Sequence, residues 1–140
     1  MNTVNVRKVE IGKGIPKICV PVVGITRDDI IDAACKAKET ADLVEWRADW
    51  YEDVLDFKKT EKMMEELRET LGDIPLLFTF RTLKEGGEKE IEKSVYVKLN
   101  EMAVKTGFAD LVDAEAFTGT DEVNTIVETA HLYGVKVIVS

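Results

Sequence analysis

The sequence predicts an α/β protein built on a parallel β-sheet. Three observations predict it: short apolar runs alternate with amphipathic segments, the connections are short, and each strand-plus-helix unit takes about 30 residues. Two architectures fit. One is a doubly wound five-stranded sheet of the flavodoxin type, complete at this length of 140 residues. The other is the first half of a (β/α)8 barrel, whose typical length is about 250 residues.

A β-hairpin is predicted ahead of the main fold. Val4 and Val6, then Val9 and Ile11, alternate with other residues, and glycines follow at positions 12 and 14. We interpret 1–140 as a single domain, with this hairpin at 1–16 and five strands and four helices over 17–140.

The five strands are predicted from apolar runs, because buried strands of a parallel sheet are continuously hydrophobic. They cover 18–23, 43–48, 76–80, 110–116 and 135–139. Helices are predicted between them at about 27–38, 57–71, 91–105 and 121–133. Thr26 and Thr120 are suited to cap the first and fourth helices, and Gly72 to end the second.

Composition excludes several classes of protein. The net charge of −8 and the lack of a basic tract argue against nucleic acid as a partner. No run reaches the ~20 apolar residues of a membrane span. Cys19 and Cys35 are expected to be buried, reduced thiols of a cytoplasmic protein, and no spacing indicates a metal site. The single histidine, His131, is expected near a helix end at the surface.

Charged residues interrupt three of the strands near their C-terminal ends. They are Glu45, Arg47, Arg81, Asp113 and Glu115. Ionised groups are costly inside a sheet unless they are paired or face a ligand. The C-terminal edge is also where α/β enzymes build active sites. The alternative is a structural ion-pair network, in which Glu45 and Glu115 neutralise the two arginines.

A polar loop follows the third strand. Its Gly86-Gly87 pair lies between acidic residues and lacks the spacing of a phosphate-binding loop. We interpret it as a mobile active-site loop.

Three segments of the chain together resemble type I 3-dehydroquinate dehydratase. They are Glu45-Trp46-Arg47-Ala48-Asp49, Phe78-Thr79-Phe80-Arg81-Thr82 followed by Glu85-Gly86-Gly87, and Asp113-Ala114-Glu115-Ala116-Phe117. The opening at 4–17, with its Gly-x-Gly-x-Pro-Lys motif, is similar to the N-terminus of that family. The family fold is a (β/α)8 barrel closed at the bottom by a hairpin. The resemblance therefore favours the N-terminal half of a barrel, with four βα units and a fifth strand.

The resemblance implies an enzyme of the shikimate pathway that dehydrates 3-dehydroquinate to 3-dehydroshikimate, without a metal or added cofactor. In the family, a lysine forms a Schiff base with the substrate ketone and a histidine acts as the base. By position, the substrate-binding residues would be Glu45, Arg47 and Arg81. Glu85 would orient the catalytic histidine. Asp113 and Glu115 would lie behind the lysine and histidine as supporting groups.

The resemblance also implies what this chain lacks. The family's histidine follows the fifth strand and its lysine lies on the sixth, so both would come after Ser140. Pro21 stands where the family can have a serine, which removes one donor to the substrate. We expect the chain to be the substrate-binding half, inactive alone, and to form a homodimer or to associate with the C-terminal half. The remaining alternatives are a self-associating, non-catalytic scaffold and a flavodoxin-like binding domain.

Overall fold

The chain folds into a hairpin followed by a five-stranded sheet and four helices. The computed structural model describes residues 2–140. The strands are β1 (Val4–Val6), β2 (Val9–Ile11), β3 (Cys19–Val22), β4 (Leu43–Arg47), β5 (Leu76–Thr79), β6 (Leu111–Ala114) and β7 (Lys136–Val139). The helices are α1 (Arg27–Ala37), α2 (Phe57–Leu71), α3 (Lys93–Lys105) and α4 (Thr120–Leu132). Short 3₁₀ helices follow three of the strands, at Ala48–Trp50, Leu83–Glu85 and Ala116–Thr118.

The strands of the main sheet lie in chain order, β3-β4-β5-β6-β7, and each neighbouring pair is parallel. Each crossover is right-handed and joins a strand to the next strand on the same side. All four helices therefore lie on one face of the sheet. A flavodoxin-type sheet has its first strand inside the order, so that alternative is wrong. The predicted hairpin, four βα units and fifth strand are confirmed.

The two faces of the sheet bury different sets of side chains, because successive residues of a strand point to opposite sides. Val44, Trp46 and Phe78 pack against the helices in the main core. We call the opposite side the inner face. It starts with a separate apolar cluster of Leu43, Leu77 and Leu111, against which Val6 and Ile11 of the hairpin pack. The hairpin therefore covers the inner face at the end where the strands begin.

An arginine–aspartate cluster ties the hairpin and α2 to the start of β6. Asp110 accepts hydrogen bonds from Arg7 Nε and Arg68 Nη1, each at 2.8 Å, and from the backbone amide of Leu76 at 2.9 Å. Arg68 also donates to three backbone carbonyls, those of Gly72, Ile74 and Phe108. This cluster fixes the lower end of the sheet, opposite the edge that carries the charged residues.

Helix ends follow the capping chemistry of the sequence, with two corrections. Thr26 Oγ1 accepts from the amide of Asp29 at 3.2 Å, as predicted for α1. Gly72, with a φ of 59°, ends α2 as predicted. The predicted start of α3 at residue 91 is wrong, because the helix begins at Lys93. Thr120 is the first residue of α4 and does not cap it.

Both cysteines lie at exposed positions, so the prediction of buried thiols is wrong. Among residues 2–140, Cys19 lies on the edge strand β3, which has a neighbour on one side only, and Cys35 lies on the outside of α1. His131 is exposed in the last turn of α4, as expected. Within residues 2–140, none of the helices combines the length and the apolar content that crossing a membrane requires.

Candidate active site

The five charged residues singled out in the sequence, joined by Thr79, gather on the inner face, beyond the apolar cluster of Leu43, Leu77 and Leu111. Strand β4 contributes two positions, β5 and the residues after it contribute two more, and β6 with the residue after it contributes the last two. In that order, they are Glu45, Arg47, Thr79, Arg81, Asp113 and Glu115. All lie toward the C-terminal ends of the strands, as predicted, which is where parallel α/β proteins bind ligands.

Glu45 is bound to the neighbouring strand through a threonine. Thr79 Oγ1 donates to Glu45 Oε2 at 2.8 Å. Thr79 is fully buried, whereas Glu45 is half-buried. The second oxygen, Oε1, has no hydrogen-bond partner within residues 2–140, so it can accept from a ligand. Pro21 of β3 lies opposite Glu45 in the strand register and is exposed.

Arg47 is held side-on by Asp49, which follows two residues later. Arg47 Nε and Nη2 donate to the two oxygens of Asp49, each at 2.9 Å. Asp49 is fully buried. The hydrogen bonds to Asp49 raise the pKa of the Arg47 guanidinium, which is charged at any physiological pH. Among residues 2–140, Arg47 Nη1 has no partner, and it remains as a donor for a ligand.

Arg81 is bonded to both acids of β6 and its end. Its Nη1 lies 3.0 Å from Asp113 Oδ2, 2.9 Å from Glu115 Oε2 and 3.1 Å from Ser140 Oγ. Burial alone would lower the pKa of Arg81, but the two carboxylates outweigh it and the pKa is raised. Ser140 also donates to Asp113 Oδ2 at 2.9 Å, so the residue after β7 joins the cluster.

The structural ion-pair network expected as an alternative is correct for only one of its pairs. Glu115 binds Arg81, but Arg47 is bound by Asp49 and not by Glu45. Four carboxylates stand against two guanidinium groups and the ammonium of Lys89, which leaves a formal excess of one negative charge at this edge; the acids are Glu45, Asp49, Asp113 and Glu115. A neighbouring cation is stabilised by such an excess.

Glu85 lies apart from this cluster. It is exposed at the end of the 3₁₀ helix after β5, and its carboxylate forms no hydrogen bond with another of the described residues. It lines a cavity of about 520 Å³ together with Tyr96 and Glu115, at the start of α3. The structure thus places Glu85 at the rim of the site, and its role in orienting a histidine stays a prediction.

The loop that carries Glu85 is closed at its base by hydrogen bonds. Thr82 and Lys89 form an isolated parallel bridge, and the amide of Gly87 donates to the carbonyl of Thr82 at 2.8 Å. A Cβ on Gly87 would lie 1.8 Å from the carbonyl oxygen of Arg81. Gly87 is therefore needed for the close approach of two backbones, and the mobility expected of the loop stays a prediction.

Three residues without an assigned role in the sequence complete the site: Asp49, Lys89 and Tyr96. The Tyr96 hydroxyl donates to the carbonyl of Asp113 at 3.3 Å and accepts from the amide of Glu115 at 3.0 Å. Lys89 Nζ donates to the carbonyl of Asp49 at 2.7 Å. An acid just after a strand, such as Asp49, was a signal available in the sequence. The roles of Tyr96 and Lys89 depend on contacts that no local pattern encodes.

Within residues 2–140, no group of three or more His, Cys, Asp or Glu side chains is placed to hold a metal ion. The sheet in chain order and the charged groups at the ends of its strands define the class: an α/β protein of the barrel type with a polar cluster at the edge of the sheet where such proteins bind ligands.

Comparisons with known proteins identify the family within this class. The model of the type I 3-dehydroquinase family matches residues 18–140. The 3-dehydroquinate dehydratase of Clostridium botulinum is 53% identical over 138 residues, which cover 98% of this chain and 54% of that protein. The crystal structure of the type I 3-dehydroquinate dehydratase from Clostridium difficile has a TM-score of 0.97 at 44% identity, over 99% of this chain and 55% of that chain.

The chain belongs to the type I 3-dehydroquinase family. It spans about half the length of the relatives that it matches. Its hairpin, four βα units and fifth strand are similar to half of a (β/α)8 barrel, which confirms the fold class predicted from the sequence.

Proposed function

We propose that the protein containing this chain dehydrates 3-dehydroquinate to 3-dehydroshikimate, and that residues 1–140 supply the substrate-binding part of the active site. One observation carries the proposal. Polar groups on the inner face, Glu45 Oε1 and Arg47 Nη1, are held in place by protein contacts and yet have no protein partner of their own among residues 2–140. Relatives at 45–53% identity are named for this reaction.

In this proposal, Glu45, Arg47 and Arg81 bind the hydroxyls of the substrate. Charge-assisted hydrogen bonds are stronger than neutral ones and depend on geometry. The bonds of Glu45 to Thr79 and of Arg81 to two carboxylates keep these groups from rearranging when the substrate arrives.

The reaction passes through a Schiff base between a lysine and the substrate ketone, with loss of water. The protonated imine withdraws electrons, so a histidine base can remove the neighbouring proton. The hydroxyl then leaves, with a proton, as a second water. One water is taken up again when the product imine is hydrolysed, which releases 3-dehydroshikimate and regenerates the lysine. The negative excess formed by Asp113, Glu115 and the other acids supports this step, because it stabilises the cationic imine. No metal or added cofactor takes part.

We place the lysine and the histidine in the part of the protein that follows residue 140. Among residues 2–140, Lys89 Nζ is bonded to two carbonyls, and Lys136 lies at the start of β7, away from the C-terminal edge. His131 is exposed on α4. Glu85, at the rim, is then available to orient the histidine. The isolated chain of 140 residues is proposed to bind without dehydrating.

The test is a hybrid enzyme that joins residues 1–140 to the C-terminal remainder of the Clostridium botulinum relative. We expect the hybrid to form the conjugated enone product, followed by ultraviolet absorbance. Borohydride with 3-dehydroquinate should leave reduced substrate bound to the hybrid, detected by mass spectrometry, and none on the 140-residue chain. A folded hybrid without turnover, or turnover by the isolated chain, contradicts the proposal.

Two matched substitutions test the binding role. Arg81→Met in the hybrid should lower kcat/KM about 100-fold. Arg27→Met removes an exposed guanidinium that pairs with Glu66 on the outer surface, and it should leave kcat/KM unchanged. Equal effects of the two substitutions would exclude Arg81 from the site.

A second proposal concerns association, which the two outer strands favour. In the part of the chain that the structure describes, strands β3 and β7 each pair on one side only, and exposed apolar residues lie in or next to them. They are Ile18, Val23, Ile138 and Val139. We propose that the C-terminal remainder covers both edges and that, without it, a second copy of the chain does so. Light scattering should give a dimer for the chain alone and a one-to-one complex with the remainder; a monomer in both samples contradicts this.

A further inference from the structure

Asp49 joins three segments of the site through one buried carboxylate. Its Oδ1 accepts from Arg47 Nε at 2.9 Å and from the backbone amide of Arg81 at 3.2 Å. Its Oδ2 accepts from Arg47 Nη2 at 2.9 Å and from the backbone amide of Glu88 at 3.1 Å. The two amides belong to the chain just before and just after the loop that carries Glu85. A single side chain therefore holds both ends of the loop and the neighbouring guanidinium.

Lys89 adds a second connection between the Glu85 loop and the segment after β4. Its Nζ donates to the backbone carbonyls of Asp49 and Tyr51, at 2.7 Å and 2.8 Å. The segment after β4 is thus bound to the loop by its backbone as well as by the Asp49 side chain. Burial alone would raise the pKa of Asp49, but the hydrogen bonds from Arg47, Glu88 and Arg81 hold it below its usual value, so the carboxylate stays ionised.

We propose that Asp49 is a positioning residue, which fixes Arg47 and the Glu85 loop relative to each other so that one substrate meets both. The inference rests on the proposed dehydratase function. Asp49 does not bind substrate in this arrangement, because protein donors occupy both of its oxygens. Arg47 presents Nη1 in a single direction because Nε and Nη2 are bound. Without Asp49, the guanidinium is free to turn and the loop loses one hydrogen bond at each end.

The kinetic test compares Asp49→Asn with Asp53→Asn in the hybrid enzyme. Asp53 is a matched control, because it lies on the same segment and pairs at the surface with Lys59. In either orientation, the NH2 group of an asparagine would face Arg47 and one of the amides of Arg81 and Glu88, so the side chain cannot accept all four hydrogen bonds. We expect Asp49→Asn to raise KM about tenfold and to lower kcat/KM about 100-fold. The control should retain wild-type kinetics, and wild-type kinetics of Asp49→Asn would overturn the inference.

Lys89→Met separates the two parts of the proposal. It removes one anchor of the loop and leaves the Arg47–Asp49 bonds intact. We therefore expect kcat to fall several-fold, since Glu85 is displaced, with KM close to that of the wild type. A rise in KM as large as that of Asp49→Asn would show that the effect is a general loss of structure, which contradicts the positioning role.

Amide hydrogen exchange distinguishes a failure of this inference from a failure of the dehydratase proposal. In the 140-residue chain, the amides of Arg81 and Glu88 should exchange at least about tenfold faster in Asp49→Asn. The amide of Lys59, which Asp56 caps, should not change. If the hybrid is inactive but this pattern appears, the dehydratase proposal fails and the positioning claim stands. Equal exchange in both chains overturns the positioning claim. If Asp49→Asn does not fold, Asp49→Glu, which keeps the charge but displaces the carboxylate by one methylene, takes its place: faster exchange at Arg81 and Glu88 supports the claim, and unchanged exchange overturns it.

Discussion

The hydroxyl of Tyr96 accepts the amide proton of Glu115 at 3.0 Å, and it donates to the carbonyl of Asp113 two residues earlier. Both acids bind Arg81. Helix α3 therefore fixes the backbone from which two carboxylates reach the guanidinium, and a residue outside the sheet determines the geometry of the inner face.

Substitution of Tyr96 by phenylalanine should destabilise the protein. It leaves a buried amide and a carbonyl without their partner, and we expect the free energy of unfolding to fall by about 1–3 kcal/mol. The control is Tyr133→Phe, at an exposed position, with a change within about 0.5 kcal/mol. Urea denaturation measures both. A loss no larger than that of the control would mean that these hydrogen bonds contribute nothing to stability.

Tyr96 should ionise only in strong alkali. Burial, together with the charges of Glu115 and Asp113, raises the pKa of Tyr96 to about 12. A group with a raised pKa in the folded state stabilises the protein fully below its ordinary pKa of 10.0, and this contribution is lost as the pH rises through about 12. Ultraviolet titration should show a last phenolate step near pH 12 that is missing in Tyr96→Phe. An identical titration of the two proteins would contradict the assignment.

Asp49 should contribute to the loss of stability in acid. Its pKa is lowered in the folded protein from an ordinary value of 3.8. Its contribution is therefore present above pH 3.8 and lost as the pH falls through the lower folded value. The difference in unfolding free energy between the wild type and Asp49→Asn should be constant at neutral pH and should shrink below pH 3.8. Urea unfolding over a pH series measures it, and a difference that does not change with pH is the contrary result.

The stability that the cluster around Asp110 contributes should come mainly from one of its two arginines. The side chain of Arg68 is 13% exposed and that of Arg7 is 30% exposed. Arg68→Met leaves a shielded carboxylate with one weaker partner, so we expect a loss of about 2–4 kcal/mol in unfolding free energy. Arg7→Met should cost about 1 kcal/mol or less. Lys62→Met, in an exposed pair with Glu65, is the control and should have almost no effect. Equal losses for both arginines would show that burial does not set their contributions.

The topology could be predicted from the sequence because it follows from the alternation of strands and helices. The face of the sheet to which each side chain points follows from the period of two along a strand. Alternation placed Glu45 and Arg47 on the same face and Trp46 in the helix-side core. The functions of the charged residues in binding and catalysis stay predictions, since contacts within the protein do not test them.

The partners of those residues could not be predicted. Arg47 binds Asp49 because the chain turns into a 3₁₀ helix directly after β4, which brings an acid back onto the strand that precedes it. Tyr96 contacts Glu115, which is 19 residues away in the sequence, and Lys89 contacts Asp49, which is 40 residues away. Cys19 was misplaced for a related reason: an apolar run indicates a strand, but it does not indicate that the strand lies at the edge of the sheet.

The hydrogen bond between Arg7 and Asp110 also has a consequence for the order of folding during synthesis. The two residues are separated by 103 positions in the chain. At a ribosomal rate of about 5–20 residues per second, Asp110 is made roughly 5 to 20 seconds after Arg7. Throughout that interval the N-terminal hairpin has no Asp110 to bind. Closure of the lower end is therefore a late event, and nascent chains shorter than this span hold the hairpin only through its apolar contacts with Leu43 and Leu77.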